Sequence, residues 1–324
     1  MMSPQQSSPP TRGPRCFGLP PYMWDLQDLR SAPWADREPD EEPMGTKEKE
    51  WVHDADGRPW LFKEARSKHG VVRGEDWAEC VVHALAGLLG VPSACVCPAV
   101  RDGRRGVLSR SVLGDGDRLE HGNELLSVAD PAYDKTNARN PGYTVDAVRS
   151  ALELVGSPMG VPDFMTGFEA WAGYLVLDAW VSGCDRHHEN WAVIRSQRTL
   201  RLAPSFDHGN ALGFQEPEDR LSGLTTPDKI ERWSKRGVNR YFRGNPNPVA
   251  LVAEALRSCG QRTTGYWLGR LEDVSEDHVN EILHAPPDRI LSGARRTFIQ
   301  ELLRTNRKRI LSAIDSRTGS ACSG

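Results

Sequence analysis

The hydrophobic pattern changes character twice along the chain. Lys49-Glu50-Trp51-Val52-His53 predicts a strand. Asp54-Ala55-Asp56-Gly57 predicts a hairpin turn, because Asp-Gly supplies the positive φ that such turns need. Residues 58–65 are the return strand, centred on Trp60-Leu61-Phe62-Lys63. Over 74–89 the period becomes helical: Trp77, Val81, Val82, Leu85, Leu88 and Leu89 recur at three- and four-residue steps, and Gly90 with Pro92 ends the run. Two more strands, 94–100 and 106–113, are joined at Asp102-Gly103. This sequence of elements outlines a small α+β lobe.

Residues 114–142 are rich in Gly, Asp and Asn and read as a loop or insertion. Beyond them the pattern is mainly helical, over 145–154 and 163–181 and again near 248–258, 264–271, 275–283 and 288–314. Short strands at 191–194 and 200–202 interrupt it. The fold class expected is α+β and bilobal, like a protein kinase, with a mixed N-lobe over 44–113 and a mostly helical C-lobe over 114–324. Residues 1–43 hold nine prolines and a late acidic run, a composition that predicts a mobile tail. Trp24 and Trp34 are the side chains suited to pin part of it to the folded body.

Composition narrows the function. A net charge of −3 over 324 residues gives no reason to expect direct nucleic-acid binding. No apolar run has the length of a membrane span, and the N-terminus lacks a basic segment followed by an apolar core. The seven cysteines are scattered and odd in number, which suits reduced thiols and a cytoplasmic setting. Cys95-x-Cys97 is poor zinc spacing and reads as buried strand cysteines. Trp171 and Trp180 read as core, and Trp191 as packing beneath the adjoining loop.

The chemistry concentrates in Gly183-Cys184-Asp185-Arg186-His187-His188-Glu189-Asn190 and, further on, Ala203-Pro204-Ser205-Phe206-Asp207. Phosphoryl transfer of the kinase type needs a carboxylate for the attacking hydroxyl's proton, then an Asn and a second Asp for Mg²⁺ on the ATP phosphates. Asp185, Asn190 and Asp207 occur in that order. Lys63, ending an apolar run, is the candidate for the α- and β-phosphates, steered by Glu79 in preference to Glu75. Gly45, Thr46, Lys47 and Lys49 lead into the first strand and suit a phosphate-covering turn, although no Gly-x-x-x-x-Gly-Lys-Ser/Thr motif is present. The segment around Ser109 is expected to join the lobes and to offer backbone to the adenine edge. His187 is expected to brace the loop by hydrogen bonding to backbone or to Asp207, and His188 to be exposed. A rival reading makes His187, His188 and His208 ligands of a metal-dependent hydrolase with Asp185 and Asp207, but adjacent histidines point in different directions and the helical His spacing is absent.

These residues resemble the HipA-like serine/threonine kinases, an atypical kinase family related to the phosphoinositide kinases. Asp185-x-His187-x-x-Asn190 is similar to that family's catalytic loop and Ala203-Pro204-Ser205-Phe206-Asp207 to its metal-binding segment. The segments Gly45-Thr46-Lys47-Glu48-Lys49, Trp60-Leu61-Phe62-Lys63, Gly74-Glu75-Asp76-Trp77-Ala78-Glu79 and Gly106-Val107-Leu108-Ser109-Arg110 resemble its nucleotide lobe, so the match covers about 44–215. The resemblance implies a bilobal fold, ATP with Mg²⁺, a Ser or Thr acceptor on a protein, toxin-like growth arrest, and a small DNA-binding antitoxin as partner. Where toxin members carry a phosphorylatable Ser before the loop glycine, this chain has Glu42-Pro43-Met44. Two alternatives keep part of the pattern: a small-molecule phosphotransferase, and an inactive kinase-like module that senses nucleotide.

Overall fold

The computed structural model describes residues 24, 26–30, 34–36, 49–68 and 71–318. In chain order the strands are β1 Gln27–Asp28, β2 Ala35–Asp36, β3 Lys49–His53, β4 Pro59–Glu64, β5 Ser67–Lys68, β6 Val71–Val72, β7 Val96–Arg101, β8 Arg104–Arg110, β9 Arg118–His121, β10 Ala192–Arg195 and β11 Leu200–Leu202. The α-helices are α1 Glu75–Leu89, α2 Gly122–Ala129, α3 Val145–Ala151, α4 Gly167–Val181, α5 Glu218–Leu221, α6 Pro227–Arg236, α7 Pro248–Arg257, α8 Gln261–Glu272, α9 Glu276–His284 and α10 Gly293–Thr318.

The N-terminal lobe is a six-stranded sheet in the order β1-β7-β8-β4-β3-β2, antiparallel except for the β1–β7 pair. Local chemistry sets its turns. Gly57 adopts φ of 73°, and the Asp54 carboxylate accepts from the amides of Asp56 and Arg58 and from Trp60 Nε1. Register then sorts the two faces. Val52, Trp60, Phe62, Cys97, Ala99 and Leu108 close one face with Leu29. Residues directly opposite in a sheet share a face. Lys63 is opposite Val107, so it lies on the other face, where Val96 and Val107 pack with the residues of α1. Trp24 is buried in that larger core, and Trp34 meets Trp60 edge-on with ring centroids 5.7 Å apart.

The helical lobe is built around α4, in which every residue but Glu169 is buried. A helix apolar all round belongs inside a core. Thr166 and Glu169 form a capping box that starts it, four residues later than the pattern over 163–181 suggests. The core around it includes Trp171, Trp180, Trp191, Trp267, Tyr143 and Phe298, all fully buried. Cys97 is buried in the sheet core, and Cys95 packs against that cluster. No helix among the described residues is long and apolar enough to cross a membrane.

Several elements escape the sequence pattern, α6 among them. Two lie inside 114–142: β9 pairs antiparallel with β10, whose other neighbour is β11, and α2 follows directly. This segment props the loop before β10. The Gly122 amide donates to the Trp191 carbonyl at 2.9 Å and the Asn123 amide to the His188 carbonyl at 3.0 Å. A Cβ at Gly122 would sit 2.2 Å from the Trp191 ring and 2.6 Å from the His188 carbonyl oxygen. Gly122→Ala is therefore expected to lower unfolding free energy by about 1–3 kcal/mol, the usual range for overpacking, as measured by urea denaturation. An unchanged midpoint would contradict this role for the segment.

Candidate active site

Helix α4 ends at Ser182, a left-handed cap with φ of 55°. The chain then makes the loop that carries Asp185 and Asn190. Arg186 organises it from below. Its side chain is 3% exposed and grips Asp178 of α4 in two parallel hydrogen bonds, Nε to Oδ2 at 2.8 Å and Nη2 to Oδ1 at 2.7 Å. Its remaining Nη1 donates to the Asn190 carbonyl at 2.7 Å. The Asn190 side-chain amide donates to the Asp185 carbonyl at 2.7 Å, so the loop closes on itself. Tyr143 locks it laterally, donating its hydroxyl to the Arg186 carbonyl at 3.1 Å and accepting from Trp191 Nε1 at 3.0 Å.

Asp207 approaches from the segment after β11, with a left-handed backbone at φ of 60°. Such a conformation is strained for a residue with a Cβ and tends to occur at functional sites. Lys63, 12% exposed at its side chain, reaches Asp207 with Nζ 3.4 Å from Oδ1. Burial opposes the Lys63 charge, but the Asp207 and Glu79 carboxylates outweigh it and hold the ammonium above the ordinary lysine value. Glu79 is buried on α1, and burial pushes its carboxyl up against the pull of the Lys63 charge. The His208 ring comes within 3.8 Å of it, Nδ1 to Oε1. A Cβ at Gly209 would lie 3.0 Å from the Glu75 carbonyl oxygen and 3.4 Å from Glu79 Oε2, so a glycine permits this approach. Glu75 turns instead to Arg66, at 3.5 Å. Asp185, Asp207, Asp178 and Arg186 line one small cleft.

The histidines divide. His187 Nδ1 accepts from the Glu189 amide at 3.2 Å, and its ring lies 4.9 Å from that of Tyr241. Burial lowers its pKa against the opposing charge of Asp185. The expectation of an exposed His188 is corrected: it is 1% exposed. The Tyr133 hydroxyl shares a hydrogen bond with its Nδ1 at 2.8 Å, and Tyr143 packs beside it. His208 shares a 2.7 Å hydrogen bond with the Ser205 hydroxyl. Among the described residues no three His, Cys, Asp or Glu side chains gather as a metal site, so the hydrolase reading finds no ligand cluster.

Gly45, Thr46 and Lys47 lie outside the described residues, as does the Lys49 side chain; the Lys49 backbone pairs with Lys63. Ser109 sits within β8, opposite Leu61 on one side and Val96 on the other, so its backbone is enclosed by the sheet. The first backbone clear of the sheet on this path begins after the Ser111 amide, which donates to the Pro59 carbonyl at 2.9 Å. Sequence reasoning missed Arg186, Asp178 and Tyr241. Arg186 stood in plain view inside the motif, but its partner Asp178 looked like any residue of an apolar helix, and no local signal marks Tyr241.

Two buried neutral histidines beneath the site make stability depend on pH. His83, hydrogen-bonded to the Ser93 hydroxyl at 2.7 Å, is held by burial and then by the Arg110 charge to a pKa of about 4, from an ordinary 6.5. Burial, then the Arg186 charge, lowers His208 well below the same value. Below pH 6.5 the unfolded chain binds protons that the folded chain refuses, so stability falls as pH drops from 6.5 towards 4. Tm measured across this window is expected to fall, and less steeply in His83→Gln. Equal slopes in the two proteins would contradict the assignment.

No protein-family model matches the sequence, and no curated protein matches it significantly. Solved structures do. The Helicobacter pylori proinflammatory kinase CtkA superposes with a TM-score of 0.70 at 13% identity, over 90% of this chain and 98% of that one. HipA from the Shewanella oneidensis MR-1 toxin–antitoxin complex with HipB and operator DNA gives 0.48 at 11% identity, over 87% of this chain and 68% of that one. The Golgi casein kinase gives 0.49 at 13% identity, over 85% and 73%. The likeness to CtkA shows the fold: the chain has a bilobal kinase fold.

Proposed function

We propose that the chain is a kinase that uses ATP and Mg²⁺ to phosphorylate a Ser or Thr hydroxyl of a protein. The observation that supports this most is the meeting of Lys63 with Asp207 at 3.4 Å, with Glu79 behind the ammonium and Asp185 on the same cleft as Asp207. A strand, a helix and two loops, distant in sequence, converge there, on a fold shared with a solved kinase.

The donor set fits the group. Mg²⁺ takes one or two carboxylates from a protein and fills its other positions with phosphate oxygens and water. Asp207, through its carboxylate, and Asn190, through its amide oxygen, would hold it. Bound Mg·ATP supplies the transferable phosphoryl group with part of its charge neutralised. Lys63, kept charged, contacts the α- and β-phosphates, and Glu79 orients it. Gly45, Thr46, Lys47 and Lys49 cover the phosphates in this reading, and residues 44–113 form the nucleotide lobe. Residues 114–324 form the catalytic lobe. Asp185 positions the acceptor hydroxyl and accepts its proton at a carboxylate oxygen. His187 braces the loop between them. Positioning and charge stabilisation then supply most of the rate. The sequence resemblance adds a toxin-like role in the cytoplasm and a small DNA-binding antitoxin as candidate partner.

The test is transfer of radiolabelled phosphate from ATP, followed by identification of the labelled species. A labelled protein is expected; a labelled small molecule instead would overturn the protein acceptor. Asp185→Asn is expected to lower turnover by about 10²–10⁴ while ATP still binds, and Asp207→Asn to weaken Mg·ATP binding. Full turnover in Asp185→Asn would remove it from the mechanism.

A further inference from the structure

Beside the proposed catalytic base lies a second, larger cleft of about 640 Å³ that the mechanism above does not use. Its walls come from two loops, 139–141 and 238–245. Tyr241 joins the two sites: it lines this cleft, and its ring lies 4.9 Å from that of His187, in the loop that carries Asp185. Burial, followed by the Asp185 charge, pushes the phenol up to about 12, so it remains a neutral donor.

The cleft is built, not an accident of loose loops. The Phe242 ring lies 4.1 Å from that of Tyr143, whose hydroxyl holds the catalytic loop at the Arg186 carbonyl. The Arg243 amide donates to the Tyr143 carbonyl at 3.0 Å, and the Asn239 amide to the Pro246 carbonyl at 2.9 Å. Across the cleft, Asn140 is buried and bonds the Asp134 carbonyl at 2.9 Å.

Its charge is one-sided. Arg139, Arg240 and Arg243 line it, all three exposed, and no carboxylate does. Among the described residues none of the three makes an ion pair, whereas Arg186, Arg105 and Arg296 are each matched to an aspartate. Three unmatched guanidinium groups beside a proposed base favour an anionic acceptor, because opposite charge both steers and orients a binding partner. The cleft is also open and polar. Sites for small molecules are typically enclosed and mainly apolar, so an extended chain suits this one better.

We propose that this cleft is the acceptor groove, and that it takes a protein segment whose Ser or Thr is flanked by Asp or Glu. The inference rests on the kinase reading of Asp185. In it, Arg139, Arg240 and Arg243 meet the flanking carboxylates, while Tyr241 forms the wall between the groove and the loop that carries Asp185.

The test compares dye-labelled Ser peptides of equal length flanked by acidic or by basic residues, first by fluorescence anisotropy and then as acceptors of labelled phosphate. The acidic peptide is expected to bind about tenfold more tightly, as several exposed ion pairs of modest strength would give, and the gap should narrow with added salt. In Arg240→Gln/Arg243→Gln, with Tm unchanged, the preference should vanish. Arg240→Lys/Arg243→Lys should keep most of it. Equal affinity, a preference for the basic peptide, or tighter binding of single-stranded RNA than of the acidic peptide would overturn the groove. Acidic-selective binding with no phosphate transfer to any acceptor would instead overturn the kinase reading and leave the groove standing. Transfer without acidic preference would do the reverse.

Discussion

The site depends on one buried ion pair. Arg186 is caught between Asp178, fixed in the core helix α4, and the backbone carbonyl of Asn190. A buried charge left alone costs several kcal/mol, so the pair forces the loop into the shape that gives each guanidinium nitrogen a partner. That shape brings Asn190 back over the Asp185 carbonyl. Positions separated by four residues in the chain thus become one rigid surface. The tryptophans and tyrosines around it, Trp191 and Tyr143 above all, give this pair a dry and immobile setting.

The second half of the site is delivered by sheet register and helix packing. Because Lys63 pairs opposite Val107, it must share the face that α1 covers. Glu79 projects from α1, and the His208 ring that follows Asp207 comes within 3.8 Å of it. One buried carboxylate therefore links α1 to the segment after β11. In this state Lys63 balances Asp207 directly. The same two charges are the ones that a phosphate chain and its metal ion would engage, which makes the arrangement a poised site in our reading.

Much of this was legible because it is local. The Asp54–Gly57 turn, the helix ending at Gly90 and the order Asp185, Asn190, Asp207 are each written in one continuous stretch of chain. What stayed hidden depends on partners far along the chain. β9, Arg118–His121, has a single large apolar residue and exists because β10 is there to pair with it. His188 looked like a solvated neighbour of His187, yet Tyr133 and Tyr143 give it a buried place. Ser109 looked like a chain emerging from a sheet, but two neighbouring strands enclose it. Arg186 occupied a variable position of the motif, and only its contact with Asp178 gives it meaning.

The central claim is that Asp207 and Asn190 hold the metal of a nucleotide whose phosphates reach Lys63. Diffraction from crystals grown with Mn²⁺ and a non-hydrolysable ATP analogue tests it directly, since the anomalous signal locates the ion without ambiguity. The account expects the Mn²⁺ peak at the Asp207 carboxylate and the Asn190 amide oxygen, with the phosphates at the Lys63 ammonium. Nucleotide bound elsewhere, or an ion that leaves Asp207 untouched, would contradict it.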